Sequence, residues 1–180
     1  MNGHFLRAFD HTLGLEKGYS NHPSDAGGAT KYGVTEKTAR AFGYTGDMKE
    51  LPLETAQQIY KLQYWNPLLL DVIAPLAPNT SYELFDSAVN CGVSTAATWL
   101  QRCLNVLNVK HTVFKDIAVD GRIGLVTIAA LQDHLKHRGD DSVLVRMLNS
   151  LQGAHYIAIT EQRAANEDFL YGWFKNRVVI

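Results

Sequence analysis

The stretch LEKGYSNHPSDAGGATKYGVT, Leu15 to Thr35, decides the reading of this chain. It follows an apolar segment, Phe5, Leu6, Ala8, Phe9 and Leu13, whose spacing is helical, and it carries an acid, Glu16, near its start. Eleven steps at about 100° per residue set Glu16 about 20° from Phe5, on the apolar stripe of a helix over residues 3–15 with Gly18 as its stop. A carboxyl so placed points toward the protein body, an uncommon setting for Glu unless it is paired or used. Asp25, nine residues on, lies by contrast in a loop of Asn21, Pro23, Ser24, Gly27 and Gly28. Ala29, Tyr32 and Val34 alternate with the turn formers that follow, which predicts a small irregular β-hairpin. Thr35 then caps a short helix over residues 36–42.

Breaking a glycosidic bond takes an acid to protonate the leaving oxygen and a second group to meet the charge that develops on the sugar. An apolar surround keeps such an acid protonated, whereas a polar loop rich in backbone N–H groups keeps its partner ionised. Glu16 and Asp25 have these contrasting settings, and the hydroxyls of Thr30 and Thr35 can orient a water. The same residues also read as structure alone, Glu16 as a solvent-facing helix end and Asp25 as an Asx-turn into Gly27-Gly28. Spacing leaves both readings open.

Working outward, periodicity predicts a helix near residues 53–64, ended by Tyr64-Trp65-Asn66-Pro67 because Pro67 disfavours helix at the residue before it. Residues 68–78 read as a short helix or irregular core segment, and Ser81 opens a helix that ends at Cys91-Gly92. Ser94 or Thr95 caps the next. Residues 109–124 read as a loop with one β-like run and a tight turn at Gly121 and Gly124, before helices from Thr127 to about 135 and from Ser142 to about 163 and a final FLYGWFKNRV segment. The class is α+β, predominantly α-helical, with a small N-terminal β-hairpin.

Composition bounds the function. Of the 180 residues 46% are apolar and 19% charged, the balance of a globular protein, and a net charge of −1 announces no nucleic-acid partner. No apolar run is long enough to span a membrane or serve as a signal peptide, so accumulation in a cytosol is expected. Cys91 and Cys103, 12 apart, fit neither a zinc knuckle nor a redox pair, which leaves buried thiols or a disulfide formed after release. The seven His residues show no ligand spacing, so neither a metal nor another cofactor is expected.

Glu16-Lys17-Gly18-Tyr19 followed by the run from Asp25 to Thr35 resembles the bacterial and phage muramidases of glycoside hydrolase family 108, marked by an E-G-G-Y element and a D-x-G-G-x-T-x-x-G-[IV]-T element. Lys17 is the departure, standing where the family carries Gly. The resemblance extends through Gln57-Gln58-Ile59-Tyr60, Tyr64-Trp65 and the segment from Phe85 to Gly92, similar to the family's F-D-x-A-V-N-x-G. Beyond it, Val119-Asp120-Gly121-Arg122-Ile123-Gly124 resembles the peptidoglycan-binding region that often follows, and Gly172-Trp173 through Arg177-Val178 resembles the terminal G-W-x-x-R-V with one more residue between Trp173 and Arg177.

The resemblance implies a lysozyme-like fold and hydrolysis of the β-1,4 bond between N-acetylmuramic acid and N-acetylglucosamine in peptidoglycan. It assigns Glu16 as the catalytic acid and, by the Glu…Asp…Thr order of small phage lysozymes, Asp25 and Thr30 as groups flanking the attacking water. Tyr19, Thr35, Tyr64, Trp65, Asp86 and Asn90 are the candidate substrate-binding residues. For Tyr64 and Trp65 the alternative is a core role, and for Asp86 and Asn90 it is hydrogen bonding to the hairpin. A catalytic region over residues 1–92 and a binding-type region over 93–180 are expected in one compact, monomeric unit, since no linker separates them. A membrane lesion, as a phage holin makes, would give the enzyme access to the wall. A lytic transglycosylase acting on the same bond and a wall-binding or secretion-assisting protein without turnover remain as alternatives.

Overall fold

The computed structural model describes residues 2–14, 18–20 and 29–178, and these form two compact units, Met1–Asn66 and Pro67–Ile180. The first unit starts with α1 (Gly3–Leu13), whose N-terminus is capped by Asn2: its Oδ1 accepts the Phe5 N–H at 2.8 Å. Phe5, Ala8, Phe9, Thr12 and Leu13 form its buried face, the i, i+3, i+4 stripe of an amphipathic helix. The helix ends sooner than its periodicity suggests. Gly14 turns to φ 44° and returns its N–H to Asp10 O at 3.1 Å, so Gly14 rather than Gly18 is the stop. The expectation that sets Glu16 on the apolar stripe falls on a residue outside the described ones.

The hairpin is a three-stranded antiparallel sheet in the order β1 (Tyr19–Ser20), β2 (Thr30–Lys31), β3 (Val34–Thr35). Tyr19 pairs with Lys31 and Ser20 with Thr30, while Thr30 pairs with Thr35 and Lys31 with Val34. Between β2 and β3 the two turn residues Tyr32 and Gly33 both have positive φ, 54° and 72°, the signature of a type I′ turn whose twist suits a tight hairpin. A Cβ at Gly33 would collide with the Tyr60 hydroxyl, which itself donates to Tyr32 O at 3.2 Å. Thr35 caps α2 (Glu36–Ala41), accepting the Thr38 N–H at 3.2 Å.

A 3₁₀ turn at Met48–Glu50 leads to α3 (Leu53–Tyr60), which continues as a π-helical turn over Lys61–Trp65. The i→i+5 bond from Asn66 N–H to Lys61 O, 2.9 Å, widens that turn by one residue. Five residues after Tyr60 instead of four, Trp65 thereby stays on the buried side. Its ring meets Phe5 edge-on at 5.4 Å, and Phe9 meets Tyr60 edge-on at 5.3 Å. These four rings are the centre of the first unit's core.

The second unit is helical: α4 (Leu70–Ile73), α5 (Pro78–Cys91), α6 (Val93–Leu107), α7 (Leu125–Arg138), α8 (Ser142–Gln162) and α9 (Glu167–Arg177). Helix α5 packs against α4, α6 and α8. It starts three residues before Ser81, with Pro78 in its first turn, where a missing N–H is harmless. Its own cap position, Ala77, offers no side chain, and Asp141 supplies one from elsewhere, accepting the Thr80 N–H at 2.9 Å and the Asn79 amide at 3.1 Å. Neither Ser94 nor Thr95 caps α6; Gly92, at φ 96°, joins α5 to α6 directly. The β-like run before Gly121 forms no strand, because the Asn105 amide takes both bonds a strand partner would make, to Ile117 N–H at 2.9 Å and to Ile117 O at 2.8 Å. Cys91 and Cys103 are free thiols, and no described helix is long and apolar enough to cross a membrane.

Candidate functional site

In the first unit the sheet gathers three of the predicted residues. Thr30 sits on the central strand, half-buried, between Ser20 and Thr35. Tyr19, 38% exposed, stands on β1 with the Lys49 ammonium 5.6 Å from its ring centroid. The Thr35 hydroxyl is engaged in capping α2 and lies 3.0 Å from that of Thr38. Glu16 and Asp25 lie outside the described residues. The stretch that carries them is nevertheless bracketed by described structure, α1 before it and β2 after it.

The aromatic pair at the end of α3 divides. Tyr64 is half-buried, its ring 5.4 Å from that of Tyr60, and burial raises its phenol above the ordinary tyrosine range. Trp65 is 0% exposed, so neither face of its indole is open to a sugar. The substrate-binding expectation for Trp65 is corrected to its core alternative, and the physical reason is the π-helical turn that swings it inward.

Asp86 and Asn90 belong to the second unit. Asp86, buried, receives the Arg177 guanidinium on one oxygen at 2.8 Å and the Gln152 amide on the other at 2.9 Å. The motifs around Phe85-Asp86 and Trp173–Arg177 therefore meet as an ion pair, which ties α9 to α5. With both oxygens taken, Asp86 is corrected from a cleft residue to a structural anchor. Asn90 donates back to Asp86 O at 2.8 Å within its own helix and is exposed.

Next to this pair lies Glu83, which the sequence reading passed over. It is 5% exposed, and its oxygens accept from Asn149 at 2.9 Å and meet the Ser87 hydroxyl at 3.3 Å. Burial, reinforced by the neighbouring Asp86 charge, pushes its carboxyl up to about 8. The Arg177 guanidinium pairs with Asp86, and Glu83 keeps its proton near neutral pH. Burial likewise pushes the Cys91 thiol up to about 12 and that of Cys103 to about 11, which leaves both inert as nucleophiles near neutral pH.

The Asp120-Gly121-Arg122 turn is built around Gln101, 1% exposed on α6. Its amide nitrogen donates to Asp120 Oδ1 at 2.8 Å and to Arg122 O at 2.9 Å, and its oxygen accepts the Gly121 N–H at 3.0 Å. The Gln101 amide, followed by the Arg122 N–H, holds the Asp120 carboxyl below the usual carboxylate range. Gly121, at φ 72°, lies so close to Ser94 and Thr98 that no side chain fits there. The turn borders a hollow of about 450 Å3 lined by Ile117, Asp120, Arg122, Leu125 and Val126 among others, and Leu125 and Val126 are 85% and 67% exposed. The Gly pattern announces the turn in the sequence, but nothing there announces Gln101 as its hub.

Comparisons with known proteins agree with this arrangement. Residues 9–92 match the family described as Glycosyl hydrolase 108, and residues 95–178 match the one described as Predicted Peptidoglycan domain. No curated protein matches the chain. Among solved structures, SagA of Brucella abortus is similar over 98% of this chain and 90% of its own, with 27% identity and a TM-score of 0.65. The two family matches adjoin near Gly92, whereas the compact units part at Asn66, because α5 is packed by α6 and α8. The chain is thus similar to glycosyl hydrolase family 108 over residues 9–92 and to a predicted peptidoglycan domain over residues 95–178, the pairing of a glycoside hydrolase directed at peptidoglycan.

Proposed function

We propose that the chain is a muramidase that hydrolyses the β-1,4 bond between N-acetylmuramic acid and N-acetylglucosamine. Glu16 protonates the leaving oxygen, Asp25 stays ionised to meet the developing positive charge, and the Thr30 hydroxyl orients the attacking water. The observation that carries the reading is the match of residues 9–92 to a glycoside hydrolase family, since that span contains all three residues. The β-sheet supports it too, because it fixes Thr30 on its central strand immediately after the segment that holds Asp25. The second part supplies wall contact through the exposed apolar residues and charged rim of the Asp120-Gly121-Arg122 turn. Cutting glycan strands of a wall under turgor lyses the cell, and access to the wall comes through a breach in the membrane.

The test compares the purified chain with Glu16→Gln on outer-membrane-permeabilised Gram-negative cells. The expected loss of lysis is about 10²- to 10⁴-fold, the usual contribution of a general acid. Equal lysis by both proteins, or none by the unsubstituted chain, rules the assignment out.

A further inference from the structure

Two lysines beside the sheet have no acidic partner among the described residues. Lys31 on β2 donates its ammonium to the Lys49 carbonyl and holds it 5.2 Å from the Tyr32 ring centroid. Lys49, on the 3₁₀ turn at Met48–Glu50, holds its own 5.6 Å from the Tyr19 ring centroid. Among the described residues no carboxylate stands within ion-pair distance of either, although Arg40 pairs with Glu36 at 2.7 Å on the adjacent α2. Tyr19 and Lys31 are cross-strand partners, and the Lys31 bond to the Lys49 carbonyl brings the 3₁₀ turn against them, so both cations and both rings form one cluster beside the sheet. Contact with an aromatic face tethers an ammonium while leaving its outer side open to an anion.

Resting on the muramidase reading for what lies along this sheet, we infer that Lys31 and Lys49 form a cationic patch that binds the carboxylates of peptidoglycan stem peptides. A glycan strand freed of peptides carries one lactyl carboxylate per disaccharide, whereas a stem peptide ties that group up as an amide and adds several free carboxylates of its own. The ammonium of Lys31, on β2 next to Thr30, and that of Lys49, on the adjoining 3₁₀ turn, match that pattern in sign, and they give the enzyme a preference for peptide-bearing wall over stripped glycan. Such an attraction acts over a Debye length, about 10 Å at 0.1 M salt, and weakens as salt is added.

The test measures binding of short soluble glycan strands by calorimetry, on a full-length Glu16→Gln background so that strands are not consumed. Three ligands are compared at low salt: strands with stem peptides, the same strands with peptide carboxylates amidated, and strands freed of peptides by an amidase. Lys31→Met and Lys49→Met are each expected to weaken binding of the first ligand by roughly 3-fold, the scale of an exposed charge contact, to leave the amidated strands unchanged, and to weaken the peptide-free strands, with their single lactyl carboxylate per disaccharide, by less. Lys49→Arg keeps the affinity. Unchanged binding of peptide-bearing strands in both variants, or equal weakening for all three ligands, overturns the inference. Release of no muropeptides by the unsubstituted chain would instead sink the muramidase reading, and the binding comparison would still decide this one.

Discussion

The two units solve the problem of holding short elements in place by different physics. The first unit relies on aromatic rings: Phe5, Phe9, Tyr60 and Trp65 interlock, and a sheet of two-residue strands is held against them through Gly33 and the Tyr60 hydroxyl. The second relies on buried polar side chains that reach across helices: Asp86 to Arg177 and Gln152, Glu83 to Asn149, Gln101 to the Asp120 turn, and Asp141 to the start of α5. Apolar contact is non-directional and tolerates a small, irregular sheet packed on it. Hydrogen-bonded pairs are directional and fix helix register, and they penalise any partner that is removed.

That contrast can be broken most forcefully at Arg177. Arg177→Ala leaves the Asp86 carboxylate buried without its cation and is expected to cost about 3–5 kcal/mol in urea unfolding. A loss below about 1 kcal/mol would mean that the ion pair does not tie α9 down. Glu83 sharpens the same point through pH. Its carboxyl sits near 8 in the folded chain against 4.5 ordinarily, so the folded state holds a proton that the unfolded state releases across that window. The stabilisation is complete below pH 4.5, falls as pH rises toward 8, and is gone above it. Denaturant unfolding at pH 5 and pH 9 should show a slope that Glu83→Gln removes, and a slope that survives the substitution would place the titration elsewhere.

In the first unit, Gly33→Ala forces a left-handed residue and displaces the Tyr60 hydroxyl, an expected cost of about 2 kcal/mol read as a drop in melting temperature. If it proves neutral, the aromatic core does not constrain the hairpin. The smallest effect is expected at Asp141→Ala, about 1 kcal/mol for a lost helix cap, with hydrogen exchange accelerating in the first turn of α5.

Much of the fold was legible because its signals are local. Apolar spacing shows α1, α3, α5 and α8; Thr35 caps where a threonine should; and the Tyr32-Gly33 turn lies among the predicted breakers. What escaped involves geometry or partners that the local pattern does not encode. Gly14 rather than Gly18 stops α1, since either glycine satisfies the pattern and the backbone takes the first. Trp65 looks like a helix-end aromatic until a single extra residue in a π turn carries it inward. Asp86 was singled out by its motif and Arg177 by another, yet only the fold brings these residues, 91 apart, to 2.8 Å. Gln101 has no signature at all, because a buried glutamine that organises a turn reads like any helical glutamine. Of the candidate site, the sheet residues Tyr19, Thr30 and Thr35 were placed together, while the roles of Glu16 and Asp25 rest on the family match over residues 9–92.

The central claim is hydrolysis at the muramic acid side of the glycosidic bond, and the products of a purified-peptidoglycan digest test it most directly. After borohydride reduction, mass spectrometry should find muropeptides ending in reduced N-acetylmuramic acid, each carrying the water added at the cut bond. Products one water lighter and inert to borohydride, as 1,6-anhydro ends are, or products ending in reduced N-acetylglucosamine, would contradict it.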